Sequence, residues 1–471
     1  VSISAPAVSA QPASGWANRL AHLRLIPRIE TYPSVVLFAQ TDQGKLVMLV
    51  LFGLGLAYTG KDWWPLSIWL TLTTFLPDRR RLIVTAGTLS LAYLTQPSVH
   101  KAILITLILV VAGVLLRCAA LWPRSLYGRR PLAFLLSGFV TLVVLASCIS
   151  ADATIYQPMW DFALTLATYV WFIGYSLLDR NAPDRDGFTL QVGTYRPFWG
   201  STNTPFVKGA AYLRRIEARH AEGLAVTQLK GLKLLTWLIM VSFFGKFYDY
   251  CIYDRLHVPL FDHALSLSVS RAPLPWYTCW ASLIAGFLGS IISITIWGNR
   301  FVACCRMAGF NALRNTYRPL SSRTVAEFFN RYYFYFKELL VEFFFYPTFL
   351  RYFKRNRRLR LITATFAAAC FGNALFHFCR DLTFVQKLGL PGALVGFQVY
   401  LFYCVALATA ISISQLRKRD PNAAGFIRGQ LLPSVSVALF YCLLDIFGST
   451  QRNYPLTEHF RFLAHLFNIN I

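Results

Sequence analysis

Long apolar runs alternate with short polar connections along the chain, and the runs match the length a helix needs in lipid. A bilayer core of ~30 Å takes ~20 helical residues to cross. The apolar runs form two groups: 45–60, 63–77, 82–96, 101–121, 131–150 and 161–178, then 230–248, 276–298, 361–379, 391–414 and 430–448. The first three are short, which allows a tilted or half-spanning hairpin there. The pattern predicts an all-α polytopic membrane protein of eleven spanning helices, nine being the lowest count the runs allow, with re-entrant or interfacial helices among them.

Residues 179–229 interrupt the series, being too polar for a span and too long for a turn. Their second half, from Thr204, reads as an interfacial helix leading into the next span. The chain thus divides into an N-terminal tail and interfacial segment (1–44), a transmembrane bundle (45–178), the connection (179–229) and a C-terminal transmembrane half (230–471).

Composition sharpens this picture. Hydrophobic residues make up 56% of 471 and charged residues 14%, with a mean hydropathy of +0.47, which excludes an ordinary water-soluble globule. A net charge of +25 would suggest nucleic acid in a soluble chain, but here the Lys and Arg residues flank apolar runs. They are topology signals, so the expected partners include membrane lipids and not nucleic acid. Arg79, Arg80, Arg81, Arg117, Arg124, Arg129 and Arg130 fall in alternate loops, against only Lys61 and Lys101 in the others. That imbalance predicts a cytoplasmic N-terminus and a cytoplasmic 179–229 connection. The same frame puts "RYFKRNRRLR" (351–360) and "QLRKRD" (415–420) on the cytoplasmic side. The N-terminus has no signal-peptide pattern; residues 1–15 read as disordered, and the Arg-rich stretch after them as lying on a membrane surface. Ten cysteines include no CxxC and no Cys/His array, so neither a disulfide framework nor a metal site is expected. Cys304 and Cys305, beside Arg300 and Arg306, read as packing residues, with lipidation as the alternative.

Polar residues inside the runs are the candidates for chemistry, because hydrocarbon penalises them. His377, in "FGNALFHF", is the one histidine read as embedded; the others, at 22, 100, 220, 257, 263, 459 and 465, fall in polar or loop contexts. Asn373 lies four residues earlier, on the same helical face. An imidazole beside an amide suits a general base acting on a hydroxyl; the alternative is a buried histidine bonded to a backbone carbonyl.

"FFNRYYFYFKELLVEFFFYP" mixes aromatic residues with charge. On one continuous helix Glu327, Arg331, Glu338 and Glu342 would lie within about 40° of a single line. Arg314, Arg318 and Arg323 precede the segment and the 351–360 cluster follows it, on the same side in the charge frame. The segment is therefore expected to lie in the interface or to dip in and return, with Pro347 limiting any helix to about residue 345.

The order Gly309-Phe310, Asn315, Pro319-Leu320, Phe328-Phe329-Asn330-Arg331-Tyr332-Tyr333, Phe345-Tyr346-Pro347 and Leu375-Phe376-His377-Phe378 resembles the membrane-bound O-acyltransferase (MBOAT) family. The branch it is most similar to contains bacterial alginate O-acetylases and teichoic acid D-alanyl transferases. "GLKLLTWLIM" (231–240) resembles that family's Gly-Leu-x-Lys helix start, and the likeness covers roughly residues 195–380. Tyr333 stands where this branch often has a second histidine, Asn299 where an aspartate is common, and aromatic residues replace the Trp and Gly around His377.

The resemblance implies an enzyme moving an acyl group from a cytoplasmic thioester, acyl-CoA or an acyl-carrier protein, to a hydroxyl of a cell-envelope polysaccharide or lipid. It implies no tightly bound cofactor, a bacterial inner-membrane location, and a possible extracytoplasmic transferase or envelope-polymer machinery as partner. His377 would be the base, with Tyr333 or Asn330 positioning the acceptor or stabilising the oxyanion. Asn373, Arg331 and Glu338 would orient the site, and Arg351, Lys354 and Arg355 would attract the anionic donor. Topogenic signalling or lipid-headgroup binding explains the same basic residues. A catalytically altered relative acting as transporter or scaffold, and an unrelated transporter, are the rival readings.

Overall fold

The computed structural model describes residues 26–60, 65–94, 98–179, 188–417, 425–448 and 454–469. The described residues are helical and contain no strand, only an isolated bridge between Glu217 and Phe310. Among the described residues, eight helices are long and apolar enough to cross a membrane: Val99–Leu121, Pro131–Cys148, Tyr156–Asp179, Ala221–Arg255, Trp276–Met307, Arg357–Arg380, Leu382–Leu416 and Ile427–Asp445. Pro33–Gln40 and Asp42–Thr59, bent by 95° at Thr41, make a ninth if counted as one span. The chain is an all-α polytopic membrane protein.

The expected spans at 63–77 and 82–96 are helices of 10 and 15 residues, Leu66–Phe75 and Arg80–Leu94. At 1.5 Å per residue neither crosses ~30 Å, so eleven spans is an overcount. Leu382–Leu416 is interrupted at Gly389 (φ 68°), and Pro391 opens its long apolar part, as the run starting at 391 implies.

The connection after Tyr156–Asp179 departs most from expectation. In place of one interfacial helix from Thr204 there is a short helix, Ala210–Ile216, an extended stretch, and a new helix starting at Ala221. Before them, Tyr195, Phe198, Trp199, Phe206 and Val207 are almost completely buried. Trp199 donates its indole N–H to the Phe206 carbonyl (3.0 Å), and the Phe206 ring packs on Phe301 (4.9 Å). Residues 195–208 are thus a plug in the protein interior, where their polar groups find internal partners.

Helix Ala221–Arg255 packs along Trp276–Met307, with Gln228 donating to the Met307 carbonyl (2.9 Å) and to Thr74 (2.8 Å). Lys233, in the Gly-Leu-x-Lys stretch, forms a buried ion pair with Glu30. Cys304 and Cys305 are fully buried, which leaves packing as their role and closes the lipidation alternative. A helix absent from the sequence reading, Leu456–Leu466, docks on the bundle through Phe462 on Phe261 (5.5 Å), and Trp280 donates to the Leu466 carbonyl (2.8 Å).

Candidate functional site: the broken element and His377

Residues 325–351 form a broken helical element: Val325–Tyr332, Phe334–Leu340, a wide turn at Val341–Phe345, and Tyr346–Arg351. Its start is locally encoded. Thr324 accepts from the Glu327 N–H (3.1 Å), an N-cap, while the Glu327 carboxylate accepts from the N–H of Arg323 just before it (2.8 Å). Helix continues to Arg351, beyond the expected limit at residue 345, because the wide turn places Pro347 in the first turn of a new segment. There the missing N–H costs nothing.

The break at Tyr333 (φ −140°, ψ 73°) is imposed from outside the segment. Asn315 lies alongside it: its carbonyl accepts from the Phe334 N–H (3.0 Å) and its side-chain oxygen from the Tyr335 N–H (3.4 Å). Thr316 donates to the Tyr332 carbonyl (2.8 Å), and the Arg331 carbonyl accepts from the Tyr317 N–H (2.8 Å). Asn299 in turn holds this strap, accepting from the Asn315 N–H (3.0 Å) and donating to the Thr316 carbonyl (3.3 Å). Gly298 makes room, since a Cβ there would lie 2.2 Å from the Asn315 amide nitrogen. Backbone groups freed by the break are therefore satisfied by neighbouring chain, as a low-dielectric setting requires.

The break also divides the expected stripe of charge. Arg331 pairs with Glu327 (2.5 Å) and donates to Ser321 (2.7 Å), whereas Glu338 and Glu342 both receive Lys208, at 2.5 and 2.6 Å. Lys337 also pairs with Glu338. Burial alone would raise the Glu338 carboxyl, but the two lysines outweigh it and hold its pKa below the ordinary carboxylate value. Burial likewise opposes the charge on Lys208, and the two carboxylates overcome it and raise its pKa. Arg331 belongs to a separate cluster, so it does not act with Glu338. Asn330 is exposed, while its neighbours Phe328 and Phe329 are the buried residues of that helix. It lies on the exposed face of that helix, and no contact brings it to Tyr333 or His377 among the ring and hydrogen-bond partners that join those two.

Tyr333 points inward from the break. Its hydroxyl donates to Thr204 of the plug (3.2 Å), and its ring lies against Phe206 (5.9 Å) and Phe336 (5.5 Å). The other side of Phe336's surroundings is built by the Arg357–Arg380 span. The Phe336 ring is 4.6 Å from Phe376 and 5.8 Å from His377, between centroids. Tyr333 and His377, forty-four residues apart in sequence, thus both meet the Phe336 ring. Arg380, one turn beyond His377, is within electrostatic reach of the Tyr333 and Tyr400 phenols and is clasped by Asp381 (2.8 Å).

Asn373 is buried, and its side-chain oxygen accepts from the Tyr400 hydroxyl (3.1 Å). The Tyr400 ring lies 4.2 Å from the His377 ring, so Asn373 bears on the imidazole through Tyr400. His377 itself is half-buried, and the claim that it alone is embedded is corrected by His459, which is fully buried with Nδ1 against the Pro455 carbonyl (3.1 Å). His22 and residues 418–420 of the second basic cluster lie outside the described residues.

Both ends of the broken element lie toward one end of the bundle. The Arg323 side chain reaches Gln430 (3.1 Å), and Arg360 sits over the Phe349 ring (3.7 Å), near where Thr365 donates to Gln415 (2.9 Å). Arg351, Lys354 and Arg355 are exposed there. From Phe336–Phe376 to Phe349–Arg360 the element runs antiparallel to the His377 span, with Phe344 on Phe371 (5.9 Å) between.

Sequence reasoning missed Thr204, Lys208 and Tyr400. Thr204 and Lys208 fall in the stretch read as an interfacial helix, and Tyr400 is one aromatic among many in an apolar run; only the plug and the helix crossing give them partners. The arrangement offers a half-buried imidazole and a phenol on one aromatic ring, a second phenol against the imidazole, and a guanidinium within electrostatic reach of both phenols, a set able to move a proton and to receive developing negative charge. No family model matches this chain, and no curated protein matches it.

Proposed function

We propose that the protein is a membrane-embedded O-acyltransferase that moves an acyl group from a thioester to a hydroxyl. The observation that carries the reading is the convergence of His377 and Tyr333 on Phe336, with Arg380 in reach; the order of residues resembling the membrane-bound O-acyltransferase family agrees with it. In this reaction His377 takes the proton of the acceptor hydroxyl, whose oxygen attacks the thioester carbonyl carbon. The oxyanion of the tetrahedral intermediate accepts a hydrogen bond from the Tyr333 hydroxyl, released from Thr204, and the nearby Arg380 charge favours it. The C–S bond then breaks, the ester forms, and His377 returns its proton to the departing thiolate.

In this proposal the basic end of the bundle is cytoplasmic, in a bacterial inner membrane, and receives acyl-CoA or an acyl-carrier protein. Arg351, Lys354 and Arg355 attract that anionic donor. The acceptor is a hydroxyl of an envelope polymer or lipid. Purified protein incubated with a panel of acyl-CoA and acyl-carrier thioesters is expected to release thiol, and His377→Ala to abolish the release while purifying as a monodisperse species. Wild-type turnover in that variant would remove His377 as the base. Absence of turnover with every thioester would favour a transport or scaffold role, for which the aromatic residues packed around His377 are the motivating observation.

A further inference from the structure

At the basic end, away from His377, three arginines from separate parts of the chain line one groove of about 630 Å³. Arg323 precedes the broken element, Arg417 follows the Leu382–Leu416 span, and Arg428 lies in the first turn of Ile427–Asp445. Below them the walls are apolar, with Val325, Leu432 and Val437 among the lining residues and no Asp or Glu. Ile413 and Leu432, on the two spans that form the sides, are 49% and 60% exposed, so the groove opens toward the lipid-facing surface.

We propose that this groove is a binding site for an anionic phospholipid, its phosphate held by the arginines and its first acyl carbons laid on the apolar wall. Charge complementarity selects the head: guanidinium groups present forked donors that match phosphate oxygens, and no carboxylate in the lining competes. The apolar wall selects a lipid over a free phosphate, which would gain nothing from Val325, Leu432 and Val437. The site is independent of the acyl-transfer reading. It also touches the start of the broken element, because Tyr441 donates to the Val325 carbonyl (2.8 Å) and stacks on Phe328 (4.0 Å) just beneath it. A lipid seated there braces the end from which Tyr333 is suspended.

Native mass spectrometry of the full chain in detergent, titrated with dioleoylphosphatidylglycerol or dioleoylphosphatidylcholine, tests the site. The expected result is preferential retention of phosphatidylglycerol, by about five-fold for each engaged arginine. Arg417→Gln with Arg428→Gln is expected to bring the two lipids close to parity, while the Lys pair at the same positions retains the preference. Ser436→Trp, which fills the groove without changing charge, should also lower retention. Equal retention of the two lipids by the wild type, or an undiminished preference in the Gln pair, would overturn the proposal. Displacement of phosphatidylglycerol by excess inorganic phosphate alone would overturn the lipid assignment.

Discussion

Replacing Lys208 by Met tests how the plug is fastened to the broken element. In the wild type its ammonium is 7% exposed and meets Glu338 and Glu342, which are 18% and 30% exposed, at 2.5 and 2.6 Å. Removing one partner from a buried charge cluster costs ~3–5 kcal/mol because the remaining charge is stranded. Lys337 still covers Glu338, and Glu342 is partly solvated, which discounts the cost to about 2–3 kcal/mol. The variant should melt several degrees lower in detergent at neutral pH. The sign of the pH dependence follows from linkage. Glu338 is held below its ordinary pKa, so its contribution is present above the unfolded carboxylate value of ~4.3 and is lost as pH falls through the folded one. In Lys208→Met the two carboxylates, no longer bridged, repel and one takes up a proton at higher pH. The deficit against wild type should therefore be largest at neutral pH and shrink toward pH ~5, and adding Glu342→Gln should recover part of it. Fluorescence-detected size exclusion after heating measures both. A deficit unchanged between neutral and acid pH, or no deficit, would refute an electrostatic fastening.

Tyr333→Phe removes a single oxygen and should slow acyl transfer by about 10²-fold or more while leaving donor KM nearly unchanged; an unchanged rate demotes Tyr333 to packing. Gly298→Ala should cost roughly 1–3 kcal/mol, since its Cβ meets the Asn315 amide that holds the break; a wild-type melting curve would show that the strap yields freely. Cysteines placed at Arg323 and Arg355 should react with an impermeant maleimide from the same side of sealed vesicles. Labelling from opposite sides would make the element an ordinary span.

Much of the scaffold was legible because hydrocarbon imposes a simple rule on sequence. The runs 101–121, 131–150 and 276–298 became Val99–Leu121, Pro131–Cys148 and Trp276–Met307 with only their ends altered. The runs at 63–77 and 82–96 misled because apolar composition also suits short helices packed on neighbours, such as Leu70 and Val84, both buried. His377 and Tyr333 stood out by type and position, but their meeting at Phe336 is tertiary. The break at Tyr333 carries no Pro or Gly of its own; its cause, Asn315, lies eighteen residues earlier and in turn depends on Asn299. The plug was misread for the converse reason: a stretch too polar for a span reads as a connection at the membrane surface, and only its partners make it interior.

Two of the wide helical turns, Val341–Phe345 and Phe366–Gly372, pack directly against each other beside the site. Such a turn amounts to one residue more than a regular helix needs, and in Phe366–Gly372 that residue sets the rotational phase of everything after it. Dropping it would turn the following segment by about 100°, swinging His377 off Phe336. At Gly372 the opposing rings come so close that a Cβ would lie 2.4 Å from Phe344. The aim of the imidazole is thus a matter of counting: a single-residue deletion upstream, leaving every side chain of the site in place, re-points it.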